Sequence, residues 1–146
     1  MSALRQQALQ EARDWLGTPY RHQGMVKGAG CDCLGLIRGL WCALYGAEPE
    51  PVPAYSRDWA ERCAEERLWQ AALRHLEPAS DQPQPGQILL FRMRQGAVAK
   101  HLGLQSAEAK FIHAYSGHGV VESALTPSWQ RRIVARFDFP APKSQA

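Results

Sequence analysis

The sequence has no apolar run long enough to cross a membrane. Its first seven residues contain neither the apolar core of a signal peptide nor a cysteine for lipidation. We therefore expect a protein that is synthesised in the cytoplasm and does not insert into a membrane. Long runs of lysine or arginine are also absent, and a formal net charge of only +3 does not favour a nucleic-acid partner. Arg131, Arg132 and Arg136 are expected on a solvated face of the last strand.

Cysteine is scarce, with 4 residues in a chain of 146. In the absence of a secretory signal, we expect these cysteines to be free thiols rather than a disulfide framework. Cys42 and Cys63 fall within helical patterns and are predicted to pack in the core as small apolar residues. This leaves Cys31 and Cys33, which flank Asp32, as the cysteines available for chemistry.

The residues that are present fit one globular domain, since 45% are hydrophobic and 21% are charged. Apolar spacing predicts three helices, over about residues 4–16, 33–45 and 58–76. From residue 87 the period changes to two, which predicts strands over 87–93, 101–105, 111–114, 119–123 and 131–137. This order indicates an α+β fold, with N-terminal helices packed on an antiparallel sheet of about five strands. We assign residues 1–139 to a single domain and residues 140–146 to a flexible tail.

Cys33 is the strongest candidate for a reactive group. It follows a loop with glycines at positions 24, 28 and 30, and it begins the second helical pattern. The unsatisfied N–H groups and the positive dipole end of a helix start favour thiolate over thiol. Thiolate is the nucleophilic form, so this position predicts a nucleophile, and the same N–H groups are natural donors to an oxyanion.

His101 and His113 are the candidates for a base and for a group that orients it. They lie in two successive predicted strands, 12 residues apart, which suits neighbouring antiparallel strands joined by a turn. Adjacent strands are about 4.8 Å apart, so two imidazoles on one face could form a hydrogen bond. If the helix that begins at Cys33 packs across this face, the thiol and both imidazoles converge.

Two other interpretations use the same residues. A strand histidine is often only a buried, hydrogen-bonded residue, and a cysteine at a helix start is often inert. Alternatively, Cys31, Asp32 and Cys33 with two histidines offer ligands that zinc accepts. A Cys-x-Cys pair is tight for a tetrahedral site, however, and there is no second cysteine pair, so we expect neither a metal nor another cofactor.

Five blocks in order resemble the NlpC/P60 family of cysteine peptidases: GTPYR (17–21), DCLGL (32–36), PGQILLF (85–91), HLGL (101–104) and IHA (112–114). The resemblance covers nearly the whole chain and implies a papain-like core. It implies that Cys33 is the nucleophile, His101 the base and His113 the third, orienting residue. Tyr20, together with Asp32, is implied to support substrate binding or the oxyanion. The implied reaction is hydrolysis of peptidoglycan stem peptides, typically between γ-D-glutamate and a diamino acid.

Three positions depart from the usual family pattern. Leu34 follows the nucleophile where serine is common, residues 22–24 read HQG where an aromatic residue and two glycines are common, and Gln87 replaces an aspartate. These departures concern the surroundings of the site rather than its three catalytic residues.

Residues 20–36 and the Pro-rich connection after the second helix look most like the NlpC/P60 peptidases of phage tails and gene transfer agents. This subgroup implies an enzyme that is made in the cytoplasm, is carried on a tail-like particle and acts at a recipient cell wall. Its implied partners are the peptidoglycan stem peptide and the hub or baseplate proteins of the tail. Two alternatives are a cytoplasmic wall-recycling peptidase and a catalytically silent tail protein with the same fold.

Overall fold

The computed structural model of the chain describes residues 2–50 and 66–141. Within these residues, the helices are α1 (Ala3–Asp14), α2 (Cys33–Tyr45), α3 (Arg67–His75) and α4 (Pro127–Arg132). The strands are β1 (Met25–Val26), β2 (Gly30–Cys31), β3 (Glu77–Pro78), β4 (Ile88–Phe91), β5 (His101–Ala107), β6 (Lys110–Tyr115), β7 (Gly119–Ala124) and β8 (Ile133–Asp138). Helices before a run of strands confirm the α+β fold.

The main sheet has six antiparallel strands in the order β3-β8-β4-β5-β6-β7. It contains all five predicted strands and one more, the two-residue edge strand β3. The last strand, β8, lies beside β4 rather than at the end of the meander. The short strands β1 and β2 form a separate hairpin directly before α2.

The bounds of α2 coincide with the predicted helix because both ends carry local signals. Asp32 caps the start with its side chain, and Gly46 ends the helix in the left-handed conformation with φ +92°. Only part of the helix predicted over 58–76 falls within the described residues, as α3. Its first half, Cys63, much of the Pro-rich connection and residues 142–146 of the predicted tail lie outside the described residues.

The sheet separates two apolar clusters. On one face, α1 and α2 cover the larger cluster, in which Leu36 and Leu40 meet Leu102 and Ile112. On the other face, a smaller cluster is formed by Leu89, Phe91, Phe111 and Leu125, with Trp129 of α4 packed against it. Successive side chains of a strand point to opposite faces of the sheet, so neighbouring residues along β5, and along β6, belong to different clusters. In the described parts of the chain, no helix combines the length and the apolar character that a membrane span requires.

Arg136 does not lie on the solvated strand face that the sequence predicts, and Arg131 and Arg132 belong to α4 rather than to a strand. The guanidinium of Arg136 is half-buried and donates to the side-chain oxygens of Gln87 and Gln105, two fully buried residues. A buried amide needs such a partner, so these three residues form one polar network. Because Gln87 and Gln105 lie at the end of β4 and β5 remote from His101, the unusual Gln87 does not contact the candidate site.

Candidate active site

Cys33 is the first residue of α2, and its side chain reaches the beginning of β5. The thiol donates a hydrogen bond from Sγ to the backbone oxygen of Lys100, at 3.6 Å. Lys100 directly precedes His101, so the structure brings the candidate nucleophile to the strand end that carries the candidate base.

The thiol does not reach this position by packing of α2 across the face that carries the histidines. The apolar face of α2 packs on the side of Leu102, whereas the ring of His101 contacts Phe91 and Trp129 on the opposite side, with centroids 5.6 and 5.8 Å away. The contact of the thiol with β5 is therefore made at the backbone oxygen of Lys100, directly before His101. The condition that α2 packs across the face of the sheet that carries the histidines is therefore not met. The side chains of β5 that pack with α2 are Leu102 and Leu104, which lie on the other face of the strand.

The two candidate histidines form a direct hydrogen bond. His101 Nε2 and His113 Nδ1 are 2.8 Å apart, and both side chains are buried. Gly103 lies beside His113, where an added Cβ would be 3.3 Å from the Cβ of His113 and 2.9 Å from the ring of Phe111. A glycine at this position therefore leaves the space that the side chains of Phe111 and His113 occupy.

A hydroxyl group continues this chain of hydrogen bonds. His113 Nε2 lies 2.9 Å from Ser123 Oγ, on the neighbouring strand β7. The sequence reasoning did not identify Ser123. Its only signal was its position in a predicted strand that follows His113 through a short turn. Two hydrogen bonds therefore connect His101 on β5, His113 on β6 and Ser123 on β7.

Aromatic rings surround the histidine pair, and the sequence patterns did not predict them as part of the site. Trp129 lies 5.2 Å from the ring of His113 and 5.7 Å from that of Tyr115, which itself stacks on His113 at 5.2 Å. Thr126 caps α4 and Pro127 occupies its first turn, so the short helix that carries Trp129 has a defined start. The rings exclude water from one side of the pair.

Burial keeps the pair neutral near pH 7. It lowers the pKa of His101 to about 3, with a further contribution from the neighbouring His113. Burial and, to a lesser extent, the neighbouring His118 lower the pKa of His113 to about 4. Both imidazoles therefore carry one proton each at neutral pH.

The thiol is neutral as well, which contradicts the expectation that the helix start favours thiolate. Burial and, to a lesser extent, the adjacent charge of Asp32 together raise the pKa of Cys33 to about 12. The backbone N–H groups of Leu102, Leu34 and Cys33 lower this pKa, but by less. The physical reason is that desolvation of a buried thiolate outweighs the dipole of the first helical turn.

Asp32 holds the loop before α2 against the start of the helix. Its Oδ1 accepts the backbone N–H of Gly35 at 2.7 Å, and its Oδ2 accepts that of Gln23 at 2.7 Å. His22 Nδ1 lies 3.8 Å from the same Oδ2. The carboxylate, which is only 3% exposed, thereby fixes the backbone that positions Cys33.

We expect Asp32→Ala to lower the free energy of unfolding by about 2–4 kcal/mol, because it removes a helix cap and leaves the Gln23 N–H without this acceptor. Asp32→Asn is the matched variant, since its amide oxygen can still cap Gly35. It should cost clearly less. Denaturant unfolding of both variants measures the difference. Equal losses for the two variants would contradict the capping role of Asp32.

Tyr20 lies close to the start of α2 through backbone pairing. It forms an isolated parallel bridge with Cys31, in which Arg21 N donates to Cys31 O and Cys31 N donates to Pro19 O, both at 3.0 Å. Its half-buried ring packs against the larger core cluster. Tyr20 is thus two residues from Cys33 across this pairing.

Cys31 and Leu34 have apolar surroundings. Cys31 is fully buried, and burial followed by the charge of Asp32 raises its pKa to about 12. Leu34, at the usual serine position, lines an apolar cavity together with Trp41, Leu68 and Leu102. Within residues 2–50 and 66–141, no group of three or more histidine, cysteine or acidic side chains is arranged to hold a metal ion.

Comparison with known proteins identifies relatives for most of the chain. The model of the NlpC/P60 family matches residues 17–137. The chain is 28% identical over 124 residues to the probable endopeptidase NlpC of Escherichia coli K12, covering 84% of this chain and 70% of the relative. It is 23% identical over 130 residues to the murein DD-endopeptidase/LD-carboxypeptidase MepS of the same strain, covering 88% and 60%. The chain thus spans roughly two thirds of the length of these curated relatives.

Solved structures agree on the fold. The NlpC/P60 domain of the peptidoglycan hydrolase SagA matches with a TM-score of 0.64 and 18% identity, covering 92% of this chain and 98% of that domain. A lipoprotein-like NLP/P60 protein of Staphylococcus aureus matches with a TM-score of 0.63 and 19% identity, covering 97% of this chain and 43% of that protein. At these identities the likeness concerns the fold alone.

Proposed function

Because this chain belongs to the NlpC/P60 family, we propose that it is a cysteine endopeptidase that hydrolyses amide bonds in the stem peptides of peptidoglycan. The observation that carries the proposal is the arrangement at the start of β5. The Cys33 thiol donates to the carbonyl that precedes His101, and His101 is hydrogen-bonded to His113. A thiol, a base and a group that orients the base are the parts that nucleophilic acyl transfer requires.

The neutral resting state defines the role of His101. It acts as a general base that accepts the Cys33 proton while sulfur attacks the amide carbonyl. Its Nε2 is engaged by His113, so Nδ1 is the nitrogen that takes this proton. The C–N bond then breaks, the protonated His101 gives its proton to the leaving amine, and a thioester remains. Water, deprotonated by His101, hydrolyses the thioester and restores the thiol.

The first turn of α2 supplies donors for the oxyanion. The N–H of Gly35 is used by Asp32, and that of Leu36 donates to the Asp32 carbonyl. The N–H groups of Cys33 and Leu34 lie close enough to the sulfur to lower the pKa of the thiol. These two groups are the donors that we assign to the negative oxygen of the tetrahedral intermediate.

Digestion of purified peptidoglycan tests the activity and the bond together. We expect soluble fragments whose masses correspond to cleavage between γ-D-glutamate and the diamino acid. This bond assignment rests on the family resemblance. Fragments cut at another amide would overturn the bond while supporting the endopeptidase, and the absence of any fragment would overturn the activity. Mass analysis of the products distinguishes these outcomes.

We also propose that the enzyme is carried on a phage-like tail and acts on a recipient cell wall from outside, in contact with hub or baseplate proteins. The support is the resemblance of residues 20–36 and of the Pro-rich connection to tail-borne peptidases. Immunodetection of the chain in purified particles tests this carriage. Detection only in the cytoplasm of producing cells would instead favour a wall-recycling peptidase.

A further inference from the structure

The hydrogen bonds of the histidine pair can be satisfied in two ways. Each neutral imidazole has one N–H and one lone pair, and the 2.8 Å contact between His101 and His113 uses a single proton. Either His101 Nε2–H donates to His113 Nδ1, or His113 Nδ1–H donates to His101 Nε2. The positions of the other two protons follow from this choice.

Only one arrangement leaves His101 able to act as a base. If His101 donates through Nε2, its Nδ1 carries a lone pair, and His113 carries its own proton on Nε2. If His113 donates through Nδ1 instead, His101 carries its proton on Nδ1 and cannot accept another there. The state of His113 Nε2 therefore differs between a competent and an incompetent site, and Ser123 Oγ lies 2.9 Å from that nitrogen.

We propose that Ser123 is a positioning residue of this site: its hydroxyl oxygen accepts the His113 Nε2–H and thereby stabilises the arrangement in which His101 Nδ1 is free to accept the thiol proton. A hydroxyl can also donate to an unprotonated Nε2, but once His101 is protonated only the accepting role satisfies the chain of hydrogen bonds. The inference rests on the proposed function. It extends the site from three side chains to four, in the order Cys33, His101, His113 and Ser123.

The same arrangement is the one that the reaction needs after proton transfer. Protonated His101 has N–H groups on both nitrogens, so its Nε2 must donate to His113. His113 must then keep its own proton on Nε2 and donate it to Ser123. An acceptor at residue 123 stabilises the positive charge through two hydrogen bonds in series.

The surroundings of His113 make this acceptor important. The ring is fully buried, and it packs against Phe111 at a centroid distance of 4.2 Å, and against Tyr115 and Trp129 at 5.2 Å each. These rings limit the positions from which water can replace a missing hydroxyl. A buried N–H that loses its acceptor is costly. Without Ser123, the form of His113 that has no proton on Nε2 would therefore become more populated.

Nitrogen NMR of the ¹⁵N-histidine-labelled full chain tests the proton positions directly, with His101→Asn and His113→Asn variants assigning the signals. We expect both rings to be protonated on Nε2 in the wild type. In Ser123→Ala, His113 should shift toward protonation on Nδ1. Protonation of wild-type His113 on Nδ1 would overturn the proposal. This readout is independent of turnover, so it separates a failure of the inference from a failure of the proposed function.

Kinetics supply the second readout, with peptidoglycan fragments as substrate. Ser123→Ala should lower kcat about tenfold with little change in KM, the size expected for one hydrogen bond to a charged group. Ser123→Thr retains the hydroxyl and should restore most of kcat. Ser106→Ala is the matched control, because this buried serine of β5 has no hydrogen-bond partner for its hydroxyl among the described residues and should retain wild-type kcat. An unchanged kcat in Ser123→Ala would also overturn the proposal.

Discussion

Replacement of Cys33 with alanine is expected to abolish the release of peptidoglycan fragments, with a loss in kcat of at least about 10³-fold. The reason is that no other described thiol occupies a comparable position. Cys33 alone donates to the carbonyl that precedes His101, while Cys31 is fully buried and Cys42 lies in the last turns of α2. Fragment release from purified peptidoglycan, followed by mass analysis, measures the loss.

Two variants sharpen this expectation. Cys33→Ser keeps the shape of the side chain, but its hydroxyl is a much weaker nucleophile, so its activity should also be lost. Cys31→Ala removes a buried thiol two residues away whose pKa is raised to a similar value, about 12. It should retain turnover at a small cost in stability. Retained activity in Cys33→Ala, or an equal loss in Cys31→Ala, would contradict the assignment of Cys33 as the nucleophile.

The parts of this molecule that could be predicted are those that neighbouring residues determine. The bounds of α2 depend on Asp32 and Gly46, which act on the backbone beside them. The pairing of β5 with β6 depends on alternation and on a short turn, and it sets His101 beside His113. The three candidate catalytic positions could therefore be proposed from local patterns, supported by the ordered blocks of the family resemblance.

The parts that could not be predicted depend on contacts between distant segments. Nothing near residues 133–138 indicates that β8 lies between β3 and β4. The charge state of Cys33 was predicted from the helix start alone, and the burial that reverses it comes from the packing of α2 against β5. Ser123 and Trp129 join the site through tertiary contacts, and neither lies in a motif.

Acidification from about pH 7 to about pH 4.5 is expected to destabilise the fold strongly. The pKa values of His101 and His113 are lowered to about 3 and about 4, below the ordinary value of 6.5 that applies in the unfolded chain. Between these limits the unfolded state binds more protons than the folded state, so the free energy of unfolding falls as the pH falls. The contribution of neutral histidines is fully present above about pH 6.5.

The expected loss in the free energy of unfolding follows from the difference between the pKa values of the two histidines in the folded and unfolded states. Each pH unit below 6.5 costs about 1.4 kcal/mol per buried histidine, so at pH 4.5 the pair together costs up to about 5 kcal/mol. That is a large part of the stability of an ordinary domain. Denaturant unfolding at a series of pH values measures the slope.

Variants of the pair test whether the two histidines are the origin of this slope. His101→Asn and His113→Asn should each flatten the pH dependence by about the equivalent of one proton, and the double variant should flatten it further. Ser106→Ala, a buried change in β5 that involves no titratable group, should keep the wild-type slope. A double variant with the slope of the wild type would show that other groups bind the protons. Because the same burial holds His101 neutral, the acid sensitivity of the fold is a direct physical consequence of the site.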